Sequence, residues 1–408
     1  MIMCYNLDVS TAYWRLFAVL NIHNKMRENM NKNEISEIKK QFTPDRCTIE
    51  HICTCYVGSE KEKKFVSKDS FLSLPEEEMH KYLAFFKKVL TGTIGKNVIN
   101  LEFPTEEEMP GGKQEFLLKL RDSGLSDEDM LDKFYDKIID YYENSEKYCI
   151  LLIYASYDVP GKASDELDMD DASDFVYNYL LCCICPVELS KGALGYDTDK
   201  NRIGELAREW VVQDPDKGFL FPGFSDRQSD IHEMLYYTKK AEELQPEFID
   251  GVFGSEPPLS AGGQKDSFQA IIADTMGETG DLEMMKNIQE NIAEIVSENK
   301  ENPEPLAVGA QEVRTILQRS GVPEENFEDF DVKFEENAGD DASFMMTNIQ
   351  EKKFTVKTPE IEIHVKPDYL DRIEARVVDG RDCIVISVDD HVQVNGVDVR
   401  TIARKKEI

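Results

Sequence analysis

Three of the chain's nine cysteines stand at positions 182, 183 and 185, inside the stretch YLLCCICPVELSKG. Thiolates are soft metal ligands and nucleophiles, so such a cluster raises zinc binding or redox chemistry. Cys47, His51, Cys53 and Cys55 form the other metal-like group. Zinc sites usually join two short paired arms from distant parts of a chain. Cys182 and Cys185 make a formal C-x-x-C, but both segments read as strands, where successive side chains alternate between faces. On a strand Cys183 and Cys185 share a face, whereas Cys182 and Cys185 do not. A joint centre would therefore need Cys53, Cys55, Cys183 and Cys185 on neighbouring strands. The opposing reading is a buried wall, because free cysteine behaves as a small hydrophobe. We take the wall as the expectation, with no metal and no cofactor.

The other motifs fall short on spacing. TGTIGKN (91–97) lacks the first glycine of a phosphate loop, since Leu90 occupies that place. Asn97 also replaces the Ser or Thr that follows the lysine, so a turn after a helix is the better reading. His232-Glu233, read on a helix over 229–243, has Tyr236 where a zinc protease places its second histidine. Asp168-x-Asp170 lacks the glycine and terminal glutamate of a calcium loop, and 165–174 is expected to be an acidic loop. There is no G-x-S-x-G elbow and no G-x-G-x-x-G after a strand. Six histidines offer few general bases, and paired carboxylates carry no signal among 80 acidic residues.

These groups sit on a chain of 408 residues, long enough for two or three domains. Hydrophobic residues make up 41% and charged residues 31%, a globular composition. The net charge of −33 repels nucleic-acid backbone and anionic lipid at long range, leaving only a local basic patch for DNA. An odd number of irregularly spaced cysteines points to reduced thiols in a cytoplasm. No segment approaches the length of a membrane span. AYWRLFAVLNI (12–22) makes a poor signal peptide, because it carries Arg15 and has no small-residue cleavage site. Met30 opens a soluble helical start, and residues 1–29 are read as a mis-annotated extension.

The elements that must position the candidates follow from pattern. CTIEHICTCYV (47–57) reads as a strand, Pro75 opens a helix, and Ser126 with Asp129 resembles the capping box of a helix over 127–143. YCILLIYASYD (148–158) and FVYNYLLCCICPVEL (175–189) are unbroken apolar runs, read as the two central strands of one sheet. PEFIDGVFG (246–254) reads as a short helix, and SEPPLSAGG (255–263) is the main internal break. Helical segments fill 266–345. From Phe354 the period becomes two, with hairpin turns at Asp379-Gly380 and Asn395-Gly396.

Several stretches carry a family likeness: MNKNEISEIKKQFTPDRCTI, GGKQEFLLKLRDS, YDVPGKASD, KGFLFPGFSDRQSDIHEMLYYTK and VVDGRDCIVISVDDHVQVNGVDVRTI. With these the chain resembles an uncharacterised domain-of-unknown-function family of Firmicutes, chiefly Clostridia, from Met30 to about Ile402. A weaker likeness is to NdpA-type bacterial nucleoid-associated proteins. It rests on LYYTKKAEEL, on Phe248 to Ser255 and on SGVPEENFEDFDVKFEENAG (320–339). That likeness implies a nucleoid role in proteins that are themselves acidic.

The expectation is an α+β cytoplasmic protein in three parts. A mixed-sheet domain spans 30–255, an acidic helical region 256–345 and a β-meander 346–408. The expected function is a non-enzymatic nucleoid- or macromolecule-associated binding protein, with a nucleoid or protein partner, no membrane and a possible homo-oligomer. Arg227, Lys239 and Lys240, flanking the 229–243 helix, are the candidate nucleic-acid or partner contacts. The alternatives are a metal-dependent enzyme built on the cysteine strands and a structural self-assembling protein.

Overall fold

The computed structural model describes residues 29–144, 146–162, 168–197, 201–340, 342–388 and 392–399. The chain divides into two compact units, Met1–Pro258 and Leu259–Ile408. In the first, helix α1 spans Lys32–Lys39 behind a capping box. The Asn31 side chain accepts from the Asn33 and Glu34 N–H groups, and Glu34 accepts from the Asn31 N–H at 2.8 Å. Strands β1, His51–Val57, and β2, Lys63–Ser70, form a hairpin. Helix α2, Glu76–Val89, starts with three glutamates and ends with Lys87 and Lys88, the order its macrodipole favours. Strand β3, Val98–Glu102, and helices α3, Lys113–Asp122, and α4, Glu128–Tyr141, follow. Strands β4, Tyr148–Lys162, and β5, Asp168–Leu189, form a long hairpin. Short strands β6, Leu194–Asp197, β7, Arg202–Glu205, and β8, Trp210–Val212, lead into β9, Lys217–Phe221. The unit closes with β10, Gly223–Ser225, β11, Gln228–Asp230, β12, Glu233–Thr238, and helix α5, Pro246–Phe253.

The main sheet runs β2-β1-β4-β5-β9-β12-β3, with β8 added beside one end of β5. Alternation sorts β4 between two cores. Ile150 and Leu152 pack with Leu117, Leu120, Phe134, Phe248 and Phe253 of α3, α4 and α5. Cys149, Leu151 and Ile153 pack with Ile35, Ile38, Leu83 and Phe86 of α1 and α2. Helices thus cover both faces, giving three layers. This explains the unbroken apolar runs at 148–158 and 175–189: with neither face in water, the alternation usual in antiparallel strands disappears.

The α+β class and the central pair are as expected, but several details differ. Every described ladder of the main sheet is antiparallel, where a mixed sheet was expected. No helix spans 229–243, because Glu233–Thr238 is a strand held between β9 and β3. All six of its residues are buried, which erased the period-two signal. Residues 168–174 of the expected acidic loop belong to β5, and 163–167 lie outside the described residues. As read from the run 175–189, β5 ends at Leu189, and its last residues pair with β8. Residues 1–28 of the expected extension also lie outside the described residues.

The second unit is helical, then β. Helix α6, Ala261–Met276, is capped by Ser260, and α7, Leu282–Glu298, by Asp281. Strand β13, Ala307–Val308, helices α8, Ala310–Arg319, and α9, Phe330–Ala338, strand β14, Phe344–Met345, and the short α10, Met346–Ile349, complete the helical part. Phe344 centres its core, with the Phe268 and Phe334 rings 5.9 and 5.6 Å away. The terminal β region is three separate hairpins, not one continuous meander. These are β15, Phe354–Lys357, with β16, Glu362–Val365; β17, Ile373–Val378, with β18, Arg381–Ile386; and β19, Val392–Val394, with β20, Val397–Val399. A helical turn over Pro367–Arg372 separates β16 from β17. The Asp379-Gly380 and Asn395-Gly396 turns both have two positive φ values, as the twist of a two-residue hairpin requires.

Candidate functional site

Strand register decides the cysteine question. Cys53 stands opposite Leu152, Leu152 opposite Cys182, and Cys182 opposite Phe219, a single row across the sheet. Cys53, Cys55 and Cys182 lie in the core under α3, α4 and α5. Cys183 and Cys185 lie with Cys149 in the core under α1 and α2. Cys183 and Cys185 thus share a face, but Cys53 and Cys55 are on the other one, with β4 between the two strands. The four do not converge. Among the described residues, no group of three or more His, Cys, Asp or Glu is placed to hold a metal ion. Burial pushes the Cys53 thiol up to about 11 and Cys55 and Cys149 up to about 12. It raises Cys182, Cys183 and Cys185 well above the ordinary range. These thiols stay neutral at physiological pH, the state that suits packing and not ligation or attack.

The basic candidates are dispersed and largely committed. Arg227 follows Asp226 in the β10–β11 turn, both with positive φ. Its Nη2 donates to Glu37 Oε1 at 3.0 Å and to the Pro160 carbonyl at 3.2 Å. Its N–H donates to Glu34 Oε1 at 3.3 Å. Desolvation raises the pKa of that buried Glu34 carboxyl against the hydrogen bonds that stabilise its charge. Lys239 and Lys240 follow the opposite end of β12, and Lys240 Nζ donates to both Glu243 oxygens at 2.8 and 3.0 Å. The three do not form one basic patch.

The turn motif and the histidine motif are structural. Asn97 Nδ2 donates to the Thr238 and Lys239 carbonyls at 3.1 Å each, tying the start of β3 to the end of β12. His232 Nδ1 lies 2.6 Å from Glu108 Oε1, just before β12. Sequence reasoning missed the feature that stands out on the second unit, the outward faces of the terminal hairpins. In β19–β20, Val392, Val394, Val397 and Val399 share one face, and Gln393 and Asp398 the other. Val394 is 53% and Val397 64% exposed. In β17–β18, Ala375, Val377, Ile384 and Ile386 share a face with Asp382, which stands opposite the 70% exposed Val377. Ile373, at the base of that face, is buried, and the Lys286 ammonium of α7 donates to its carbonyl at 3.1 Å. The signal was present in the VQVNGVDV alternation, which was read for strand period and not for what would cover the valines.

Fold and surface together define a two-unit α+β protein with buried, inert thiols and outward apolar hairpins. Among the described residues no helix is long and apolar enough to cross a membrane. A family model described as a domain of unknown function, DUF4317, matches residues 30–397, and the chain belongs to that family. No curated protein matches the chain.

Proposed function

We propose that the chain is a non-enzymatic, macromolecule-associated binding protein of the cytoplasm that assembles with a second copy of itself through its terminal hairpins. The observations supporting this are the all-valine face of β19–β20 and the mostly apolar face of β17–β18. A lone two-stranded hairpin is marginal in water, and apolar surface of this kind marks interaction sites. Covering a valine is worth roughly 1.5 kcal/mol, so two such faces suffice to drive association. The choice of a second copy rests on charge. Residues 346–408 hold twelve acidic and eleven basic residues in a chain at −33. The strands themselves, 373–399, hold six acidic and two basic residues, so the balance comes from the flanking basic residues, and two copies meet with less repulsion than their remaining surfaces would impose. Flat apolar faces of this kind stack as two layers about 10 Å apart.

Association with the nucleoid, suggested by the likeness to NdpA-type proteins, is in this reading a property of the assembled protein. Direct DNA contact through Arg227 and Lys240 is disfavoured, because Glu37 and Glu243 already neutralise them. Sizing of the wild type against Val394→Asp with Val397→Asp tests the assembly, and loss of the larger species in the variant is expected. A salt-dependent DNA pull-down with charge reversal at Arg227, Lys239 and Lys240 tests the alternative contact, and no change is expected. A metal-dependent enzyme is tested by elemental analysis; roughly one zinc or iron per chain would overturn the present reading.

A further inference from the structure

A cavity of about 520 Å³ lies between α6, α7 and β15 in the second unit. Its walls are mostly aliphatic, with Ile272, Leu282, Met285, Ile288, Ile292 and Ile349 from the helices. Volume and lining fall within the range of small-molecule sites. Its rim has the opposite sign to the rest of the chain. Lys265, Lys353 and Lys357 line it with one acidic residue, Glu351. Glu351 is already engaged, accepting from Lys265 at 2.8 Å and from the Gln269 side-chain amide at 3.1 Å. Lys353 and Lys357 are exposed, and among the described residues neither ammonium has a hydrogen-bond or ion-pair partner. Lys353 immediately precedes β15 and Lys357 ends it, four residues further on, and both line the cavity with its apolar walls.

From this juxtaposition we propose that the cavity binds a single-chain amphiphile with an anionic head, of the fatty-acid class. The flexible alkyl tail fills the aliphatic space between α6 and α7, and the carboxylate sits between Lys353 and Lys357. Two ammonium groups on an otherwise strongly acidic chain select an anion over a neutral or cationic head. An aliphatic lining suits a chain of methylenes better than a flat ring or the broad face of a helix. None of its lining residues belongs to β17–β20.

The test is calorimetric titration of the full, lipid-stripped chain with laurate, with dodecyltrimethylammonium as the cationic control of equal tail length. Laurate is expected to saturate at one per chain, and the cation to bind at least about tenfold more weakly. Lys353→Glu with Lys357→Glu, both exposed positions, should weaken laurate about tenfold or more without changing the circular dichroism. Met285→Trp, in the wall of the cavity, should block binding while leaving sizing behaviour intact. Absence of saturable laurate binding, equal affinity for the cation, or unchanged binding in the double lysine variant would overturn the proposal. Saturable binding of an acidic amphipathic peptide in place of laurate would also overturn it, in favour of a protein ligand. Sizing of the same variants separates failure of this site from failure of the hairpin assembly.

Discussion

At the residue scale the cysteines act through burial. Cys53 is pushed up to about 11 and Cys55 to about 12 because their thiolates would be desolvated in the sheet core. Native-state alkylation near pH 8 should therefore label the half-exposed Cys47 and Cys383 and spare the six buried cysteines, read by peptide mass spectrometry. Rapid labelling of Cys53 or Cys183 would contradict the wall. The same shifts set a pH dependence. Above pH 9 an unfolded thiol loses its proton while the folded one keeps it, so the folded state binds more protons and stability falls as pH rises. Thermal unfolding should show Tm level below about pH 8 and declining between about 9 and 12. Gly218, opposite Cys183, gives a packing test in the neighbouring row. A Cβ there would lie 2.6 Å from both the Cys182 carbonyl oxygen and a Val89 methyl. Gly218→Ala should destabilise the protein by about 1–3 kcal/mol in denaturant titration.

At the element scale, the strongest sequence signals were those in which local preference and tertiary environment agreed. The paired runs at 148–158 and 175–189, the glutamate-led α2 and the two Asx-Gly turns were all legible for that reason. Glu233–Thr238 was not, because a strand buried on both faces has no alternation and LYYTKKAEEL matches a helical spacing equally well. β3 was missed for a related cause: it is five residues long, and its hydrogen-bond partner β12 had been assigned as helix. The turn before β3 makes a direct test of what TGTIGKN is for. Asn97→Ala removes two side-chain hydrogen bonds to the Thr238 and Lys239 carbonyls and should lower stability by about 1–3 kcal/mol. Unchanged stability would contradict a structural role for the turn.

For the whole molecule, charge and apolar surface are unevenly distributed, and composition alone did not reveal this. A net charge of −33 argues against binding DNA over the whole surface, yet it conceals a nearly neutral terminal segment. The cysteine geometry was half legible: period two placed Cys183 and Cys185 on one face, but only the strand order placed Cys53 and Cys55 on the other. The hairpin faces were unreadable as an interface because alternation specifies which residues share a side, not what covers them. Repulsion between the acidic bodies opposes assembly at low ionic strength and is screened within about 8 Å at physiological salt. Raising salt from about 0.01 M to about 0.15 M should therefore strengthen association in sedimentation velocity, the reverse of an assembly held by ion pairs.

The most direct measurement is sedimentation equilibrium of the full chain beside its Val394→Asp, Val397→Asp variant at physiological salt. The wild type is predicted to reach a dimer or larger species with rising concentration, and the variant to remain a folded monomer of 46.7 kDa. A wild type that stays monomeric at every concentration, or a variant that assembles equally well, would contradict the account.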